Sequence, residues 1–211
     1  MPLLRAIRRS DVPTDRPLLL LDVDGCVNVF DRERPSFFRN RYFEIDATGI
    51  VRFCGMGLGG HEPPGLRKTT WVQYSSELIG KIAETVDAGL CSVAWLTTWN
   101  EHAGVLEEVL WPRRRHLSLG YVAWPMETAT SAIDGKLRGV ADLFADEQTE
   151  RPIPPLILVD DHAPRVGDDC SLSAMVPRSP ATLTIRPHGG RGISRAEWVR
   201  VVSFCQTACA K

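Results

Sequence analysis

The sequence predicts an α/β fold built on a mostly parallel central sheet. Two short, wholly apolar runs, Leu18 to Leu21 and Leu156 to Val159, each end in aspartates, the pattern of strands buried on both faces that emerge at a sheet edge. Amphipathic helical patterns alternate with such runs, which calls for parallel crossovers. The chain of 211 residues, 44% hydrophobic and 24% charged, is long enough to bury a full core. Its 25 basic and 26 acidic residues leave a net charge of -1, which excludes collagen, a disordered tail and a strongly basic nucleic-acid binder.

Taken in order, residues 1 to 16 are Arg-rich and carry Pro13, with Pro17 behind them, so they are expected to form a loosely held arm, and residues 17 to 211 a single domain. Leu18 to Leu21 is the first core strand. Tyr42 to Asp46 and Ile50 to Cys54 flank Ala47-Thr48-Gly49 and predict a hairpin, followed by a glycine-rich loop from Gly55 to Gly65; residues 30 to 70 are thus a flap and small insert. Ser75 or Ser76 caps a helix whose apolar stripe is Leu78, Ile79, Ile82, Ala83 and Val86, with Gly89 at its end. Cys91 to Leu96 is a strand, Asn100 to Leu110 a helix stopped by Pro112, and Gly120 to Trp124 a short strand. A helix spans Ser131 to Phe144, strands follow at Leu156 to Val159 and Ala181 to Ile185, and Ser194-Arg195-Ala196-Glu197 is a capping box opening a helix to about Ala208.

The basic residues divide unevenly: four are lysines, Lys68, Lys81, Lys136 and Lys211, and the rest are arginines. Six scattered cysteines include one close pair, Cys205 and Cys209, with no second pair to complete a zinc site. They are expected to be reduced and mostly buried, in a cytoplasmic protein without signal peptide or membrane anchor, because no apolar stretch is long enough to span a bilayer.

Ligands bind beyond the carboxyl ends of strands in parallel sheets, and this sequence gathers its polar residues there. Asp22 and Asp24 lie two apart, so at strand spacing both carboxylates face one site, and Gly25 lets the chain turn away. A calcium loop also opens Asp-x-Asp, but Cys26 and Val27 follow where oxygen donors are needed and the glycine falls too early. With Asp160 and Asp161, four carboxylates would share one edge and require a divalent cation; all-oxygen ligation suits Mg²⁺. Thr97 supplies a hydroxyl at a third strand end, alternatively a helix cap; adjacent Thr98 is the other candidate, and Thr97 is preferred because it directly follows the apolar run. Between Thr98 and Asp160 the chain holds one lysine, Lys136, a candidate fixed charge for a phosphoryl-transfer site; a solvated helix lysine is the plain alternative.

The ordered set Asp22-x-Asp24-Gly25, Leu96-Thr97-Thr98, Lys136 and Asp160-Asp161 resembles the four motifs of the haloacid dehalogenase (HAD) superfamily over roughly residues 17 to 187. The phrases LLLLDVDGCVNVF, WLTTWNEHA, LILVDDH and SPATLTIRPHGGRGIS are similar to the HAD domain associated with Swiss Army Knife RNA repair proteins. The resemblance implies a Rossmann-like three-layer HAD core with a β-hairpin flap after the first strand. It implies a Mg²⁺-dependent phosphomonoester hydrolase in which Asp22 is the nucleophile and forms an aspartyl-phosphate, and Asp24 the general acid and base. Thr97 would bond the phosphoryl group and Lys136 would neutralise charge. Metal ligands would be Asp22, the Asp24 backbone carbonyl, Asp160 and Asp161, the last directly or through water. By the family's pattern an aspartate at position 24 favours phosphatase over dehalogenase chemistry.

About 70 residues separate Asp24 from Thr97, leaving room for a light flap rather than a large cap. Such a site admits a nucleotide or a nucleic-acid end, with substrate contacts expected from Thr98, Gly25 and Arg41 and RNA-repair partners implied by the resemblance. Further phosphates could meet Arg32, Arg34, Arg39 and Arg41 or the run from Arg113 to His116, whose plain alternative is a solvated face. Trp99 and Trp124 are candidates for stacking on a base or for the core. His61, His162 and His188 fall in loops with no metal-site spacing, and His102 is expected to be structural. A non-catalytic module binding phosphorylated ends and a small-metabolite phosphatase or phosphotransferase are the competing functions.

Overall fold

The computed structural model describes residues 3–29, 40–45, 51–57, 70–114, 116–125, 129–145, 151–164 and 171–209. It is an α/β fold: a four-stranded, all-parallel sheet accompanied by five α-helices among the described residues. The sheet strands are β1 (Leu18–Leu21), β5 (Ser92–Trp95), β6 (Leu156–Val159) and β7 (Thr182–Ile185), in the order β5-β1-β6-β7. Their registers are flush: Leu21 pairs with Trp95 and with Val159, and Val159 with Ile185. The residues that follow, Asp22, Leu96, Asp160 and Arg186, therefore leave the sheet in one row.

Alternation along these strands divides the core into two. Leu19, Leu21, Val93, Trp95, Ile157 and Val159 share one cluster with α1 (Ser76–Asp87), α2 (Ala103–Leu110) and α5 (Arg195–Cys209). Leu18, Leu20, Ala94, Leu96, Leu156 and Leu158 share the other with α3 (Ala132–Phe144) and α4 (Leu172–Met175). Both faces are covered, which is why β1 and β6 are apolar at every position. Caps set the helix starts: Ser75 Oγ accepts from Leu78 N, Ser131 Oγ from Asp134 N, and Ser194 and Glu197 form the reciprocal capping box.

The flap is a separate antiparallel sheet of β2 (Asn40–Ile45), β3 (Val51–Gly57) and β4 (Thr70–Ser75), ordered β3-β2-β4. The predicted hairpin is its first two strands; the turn at Ala47-Thr48-Gly49 lies outside the described residues, as does most of the glycine-rich loop. The third strand is missing from the sequence reading, although Trp71, Val72 and Tyr74 among Thr and Gln are a β-favouring composition. Loop 22–29 is tied to β4, since Gln73 N donates to Asn28 Oδ1 and Val29 N to the Gln73 carbonyl.

Two further expectations need correction. The strand at Gly120 to Trp124 is a single bridged residue, Tyr121, held between Trp95 of β5 and Ala6, after which Pro125 offers no donor for a ladder. Residues 3–16 are packed rather than loose: Leu4, Ile7 and Val12 are buried, and Leu4 N and Ile7 N donate to the carbonyls of Glu101 and Tyr121. Arg9 is buried as well, donating to the Phe144 carbonyl at 2.9 Å, at the C-terminal end of α3, and to the Arg151 carbonyl. Removing the guanidinium strands two carbonyls and the packing over the Phe144 ring. Arg9→Ala is expected to cost about 2–3 kcal/mol in urea denaturation and to expose the segment to proteolysis; an unchanged midpoint would show that the segment is held by its apolar residues alone.

Of the cysteines, Cys26, Cys91 and Cys205 are buried free thiols and Cys209 an exposed one; Cys170 and the Cys54 side chain lie outside the described residues. Among the described residues, no helix is long and apolar enough to cross a membrane.

Candidate active site

The row of strand ends carries the polar residues named from the sequence. Asp22 follows β1 and is buried, with its backbone N–H on the Val159 carbonyl and Oδ1 accepting from Val23 N at 2.8 Å. Asp160 follows β6 and is fully buried; its Oδ1 accepts from His162 N at 2.7 Å. Lys136, in the second turn of α3, joins the two: its Nζ is 2.6 Å from Asp22 Oδ2 and 2.7 Å from Asp160 Oδ2. The lysine is 4% exposed, so the plain reading of a solvated helix residue is overturned. Gly135 and Lys136 both lie within the helix.

Two carboxylates and one ammonium in a desolvated space leave one negative charge uncompensated. Burial pushes the Asp22 carboxyl up to about 7, with the Lys136 ammonium opposing and the Asp160 charge adding to the rise. Burial alone would pull Lys136 down, but Asp22 and Asp160 outweigh it and hold the ammonium above its ordinary range.

Asp24 is half-buried and fixed at both oxygens: Asn28 Nδ2 donates to Oδ1 at 2.8 Å and the Trp99 indole N–H to Oδ2 at 2.9 Å. Both partners lie within the sequence phrases that carry the resemblance, Asn28 after Asp24 and Trp99 after Thr97, but their spacing does not reveal that they meet Asp24. Thr97 is buried at the end of β5 and its Oγ1 takes the Trp99 N–H at 3.4 Å, a long capping contact; Thr98 is exposed. Trp124 donates its indole N–H to the Thr97 carbonyl at 3.3 Å. Its ring lies on α3 where Gly135 and Gly139 leave a flat seat, since a Cβ would come within 2.4 Å of the ring at Gly135 and 2.6 Å of Trp124 Cβ at Gly139. Two glycines inside one helix cost about 1 kcal/mol each, and the close approach of this indole is their use.

Asp161 completes the edge. Its Oδ1 is 2.7 Å from His162 Nδ1, and its carbonyl accepts from Arg186 Nε. A Cβ at Gly25 would stand 2.2 Å from Asp161 Oδ2, and one at Gly189 2.4 Å from the same atom. Gly25 therefore serves twice, at a φ of 75° that favours glycine and by leaving room for this carboxylate. Asp160, Asp161 and His162 place ligand atoms within 4.8 Å of one another and could together hold a metal ion, a grouping that the loop positions of the histidines do not show in the sequence. The chemistry of this set fits a divalent cation: hard oxygens with an imidazole beside them, a surplus of negative charge, and a cradle that a side chain would fill.

The arginines expected to meet phosphates contribute less. Arg114 is paired with both oxygens of Asp87 at the end of α1, as a surface ion pair. Arg32, Arg34, Arg39, Arg115 and His61 lie outside the described residues; Arg41 is on β2, opposite Tyr74, with its side chain outside the description.

Fold and site together define an α/β protein whose parallel sheet carries a buried lysine–carboxylate pair of bridges and a possible acidic metal-binding group at its carboxyl edge. The sheet is consistent with a Rossmann-like or HAD-like fold. Comparison of the chain with protein families, curated proteins and solved structures finds no match.

Proposed function

We propose that the protein is a Mg²⁺-dependent phosphomonoester hydrolase acting through an aspartyl-phosphate, on the phosphate of a nucleotide or a nucleic-acid end. The observation that carries this reading is Lys136 bonded to both Asp22 and Asp160 across the ends of neighbouring parallel strands. A carboxylate beside a fixed cation at such an edge is suited to attack phosphorus, because the cation offsets the charge of both reactants.

In the first half-reaction an Asp22 oxygen bonds to phosphorus as the ester P–O bond breaks, and Asp24 gives a proton to the departing oxygen. In the second, Asp24 takes a proton from water as that water attacks the phosphorus, releasing inorganic phosphate and restoring the Asp22 carboxylate. Asn28 and Trp99 hold Asp24 in one orientation for both steps. Lys136 balances Asp22 throughout, and Thr97 stands at the next strand end to bond a phosphoryl oxygen. Asp22, the Asp24 carbonyl, Asp160 and Asp161 would hold Mg²⁺, which supplies charge neutralisation at the phosphoryl oxygens. The likeness of the sequence phrases to RNA repair proteins supports nucleic-acid ends, and proteins of RNA repair as partners.

Phosphate release from 4-nitrophenyl phosphate, nucleotides and 3′- or 5′-phosphorylated oligonucleotides tests the proposal. Release is expected with Mg²⁺, lost in EDTA and restored by excess Mg²⁺. No release from any substrate would overturn it in favour of a non-catalytic module that binds phosphorylated ends.

A further inference from the structure

The segment that follows β5 and the segment around Tyr121 line an open groove of about 420 Å³, within the range of small-ligand sites, and one of its walls, Trp99, is hydrogen-bonded to Asp24. Its walls include Thr98, Trp99, His102, Tyr121, Ala123 and Trp124. The three aromatic residues that line it are half-buried rather than sunk in the core. Both indole N–H groups are already used inward, Trp99 on Asp24 and Trp124 on the Thr97 carbonyl, so the rings are held in place before any ligand arrives. The glycine pair of α3 adds to this by seating Trp124.

We infer that this groove is a subsite for the planar base of a nucleotide, and that Trp99 is a positioning residue joining the subsite to Asp24. Fixed aromatic faces stack on any base, whereas an aliphatic ligand would gain little from a wall that also carries Glu101 and His102. Those polar residues suit the hydrogen-bonding edge of a base. One side chain, Trp99, is both a wall of the groove and a donor to the proposed general acid, so a base held in the groove is tied through this indole to Asp24. The base subsite stands independently of catalysis; the role given to Trp99 rests on the hydrolase reading above.

Binding of AMP, adenosine and ribose 5-phosphate to the full chain in EDTA, measured by equilibrium dialysis, separates the two. AMP is expected to bind at least about tenfold more tightly than ribose 5-phosphate, and Ala123→Phe, which fills the groove from an exposed position, to remove that advantage. Trp124→Leu is expected to reduce it as well, with melting curves recording whether the fold survives. Equal binding of AMP and ribose 5-phosphate by the wild type overturns the subsite whatever the variants do. A phosphorylated dinucleotide that binds more tightly than AMP assigns the groove to a strand end, and the reverse assigns it to a free nucleotide; both support a base subsite.

In hydrolysis, Trp99→Phe keeps a ring but not the donor, and is expected to lower kcat on AMP about tenfold with little change in KM. An unchanged kcat overturns the positioning role. If the wild type prefers AMP over ribose 5-phosphate in binding but hydrolyses no substrate, the hydrolase reading and the role of Trp99 fall while the base subsite stands.

Discussion

Asp22→Asn is expected to lower kcat for phosphate release by at least about 10⁴-fold while leaving a folded protein. Asparagine has nearly the same shape but an amide in place of the attacking carboxylate. It can keep one of the two contacts that Asp22 makes, since its carbonyl oxygen can accept from Val23 N or face Lys136, but not both. Loss of that contact is offset by removal of the surplus buried charge that raises the Asp22 carboxyl, so stability should change by no more than about 2 kcal/mol, far too little to empty the folded state of an ordinary domain. Acid-quenched wild-type reactions with labelled phosphate should carry the label on the peptide containing Asp22, and the variant should carry none. Activity equal to wild type in Asp22→Asn would remove Asp22 as the nucleophile.

Lys136→Met is expected to cost about 3–5 kcal/mol of stability together with activity, a larger effect on the fold than Asp22→Asn. Methionine fills much of the lysine volume, so the loss is electrostatic: Asp22 and Asp160 would face each other buried, with no cation between them. The double variant Asp22→Asn with Lys136→Met relieves that repulsion. Its loss of stability should fall short of the sum of the single losses by about 1–3 kcal/mol in a double-mutant cycle read by urea denaturation. Additive losses would mean that the ammonium and the Asp22 carboxylate do not act as a pair.

Much of the core was legible from local pattern. β1, β6 and β7 and the helices at Ser76–Asp87, Ala132–Phe144 and Arg195–Cys209 lie within a residue or two of their expected places. β1 and β6 are unbroken apolar runs, β7 alternates Thr with Leu and Ile, and the helices open on a serine cap or a capping box. The failures share a different character. β4 gains its partners from β2, thirty residues earlier; Tyr121 is extended only between two other segments; and the first sixteen residues look like an arm until Arg9 is seen on the end of α3. Arginine-rich, proline-punctuated sequence signals exposure, and burial of Arg9 depends on carbonyls more than a hundred residues away.

The site divides in the same way. The order Asp22, Asp24, Thr97, Lys136, Asp160, Asp161 is visible in one dimension because parallel strands in register bring their ends to one edge. The scarcity of lysine also left Lys136 alone in its interval. Which atoms meet is a property of the folded chain. Lys136 reaching two carboxylates, Trp99 and Asn28 holding Asp24, His162 joining Asp160 and Asp161, and glycines 25 and 189 making room for Asp161 depend on close approaches between elements far apart in sequence. By itself, the sequence determined the fold class and the sheet edge on which the polar residues collect, because periodicity and strand polarity are local. The tertiary structure alone decided which charges are buried together and which aromatic faces are locked beside them, because burial and contact exist only once distant segments have packed.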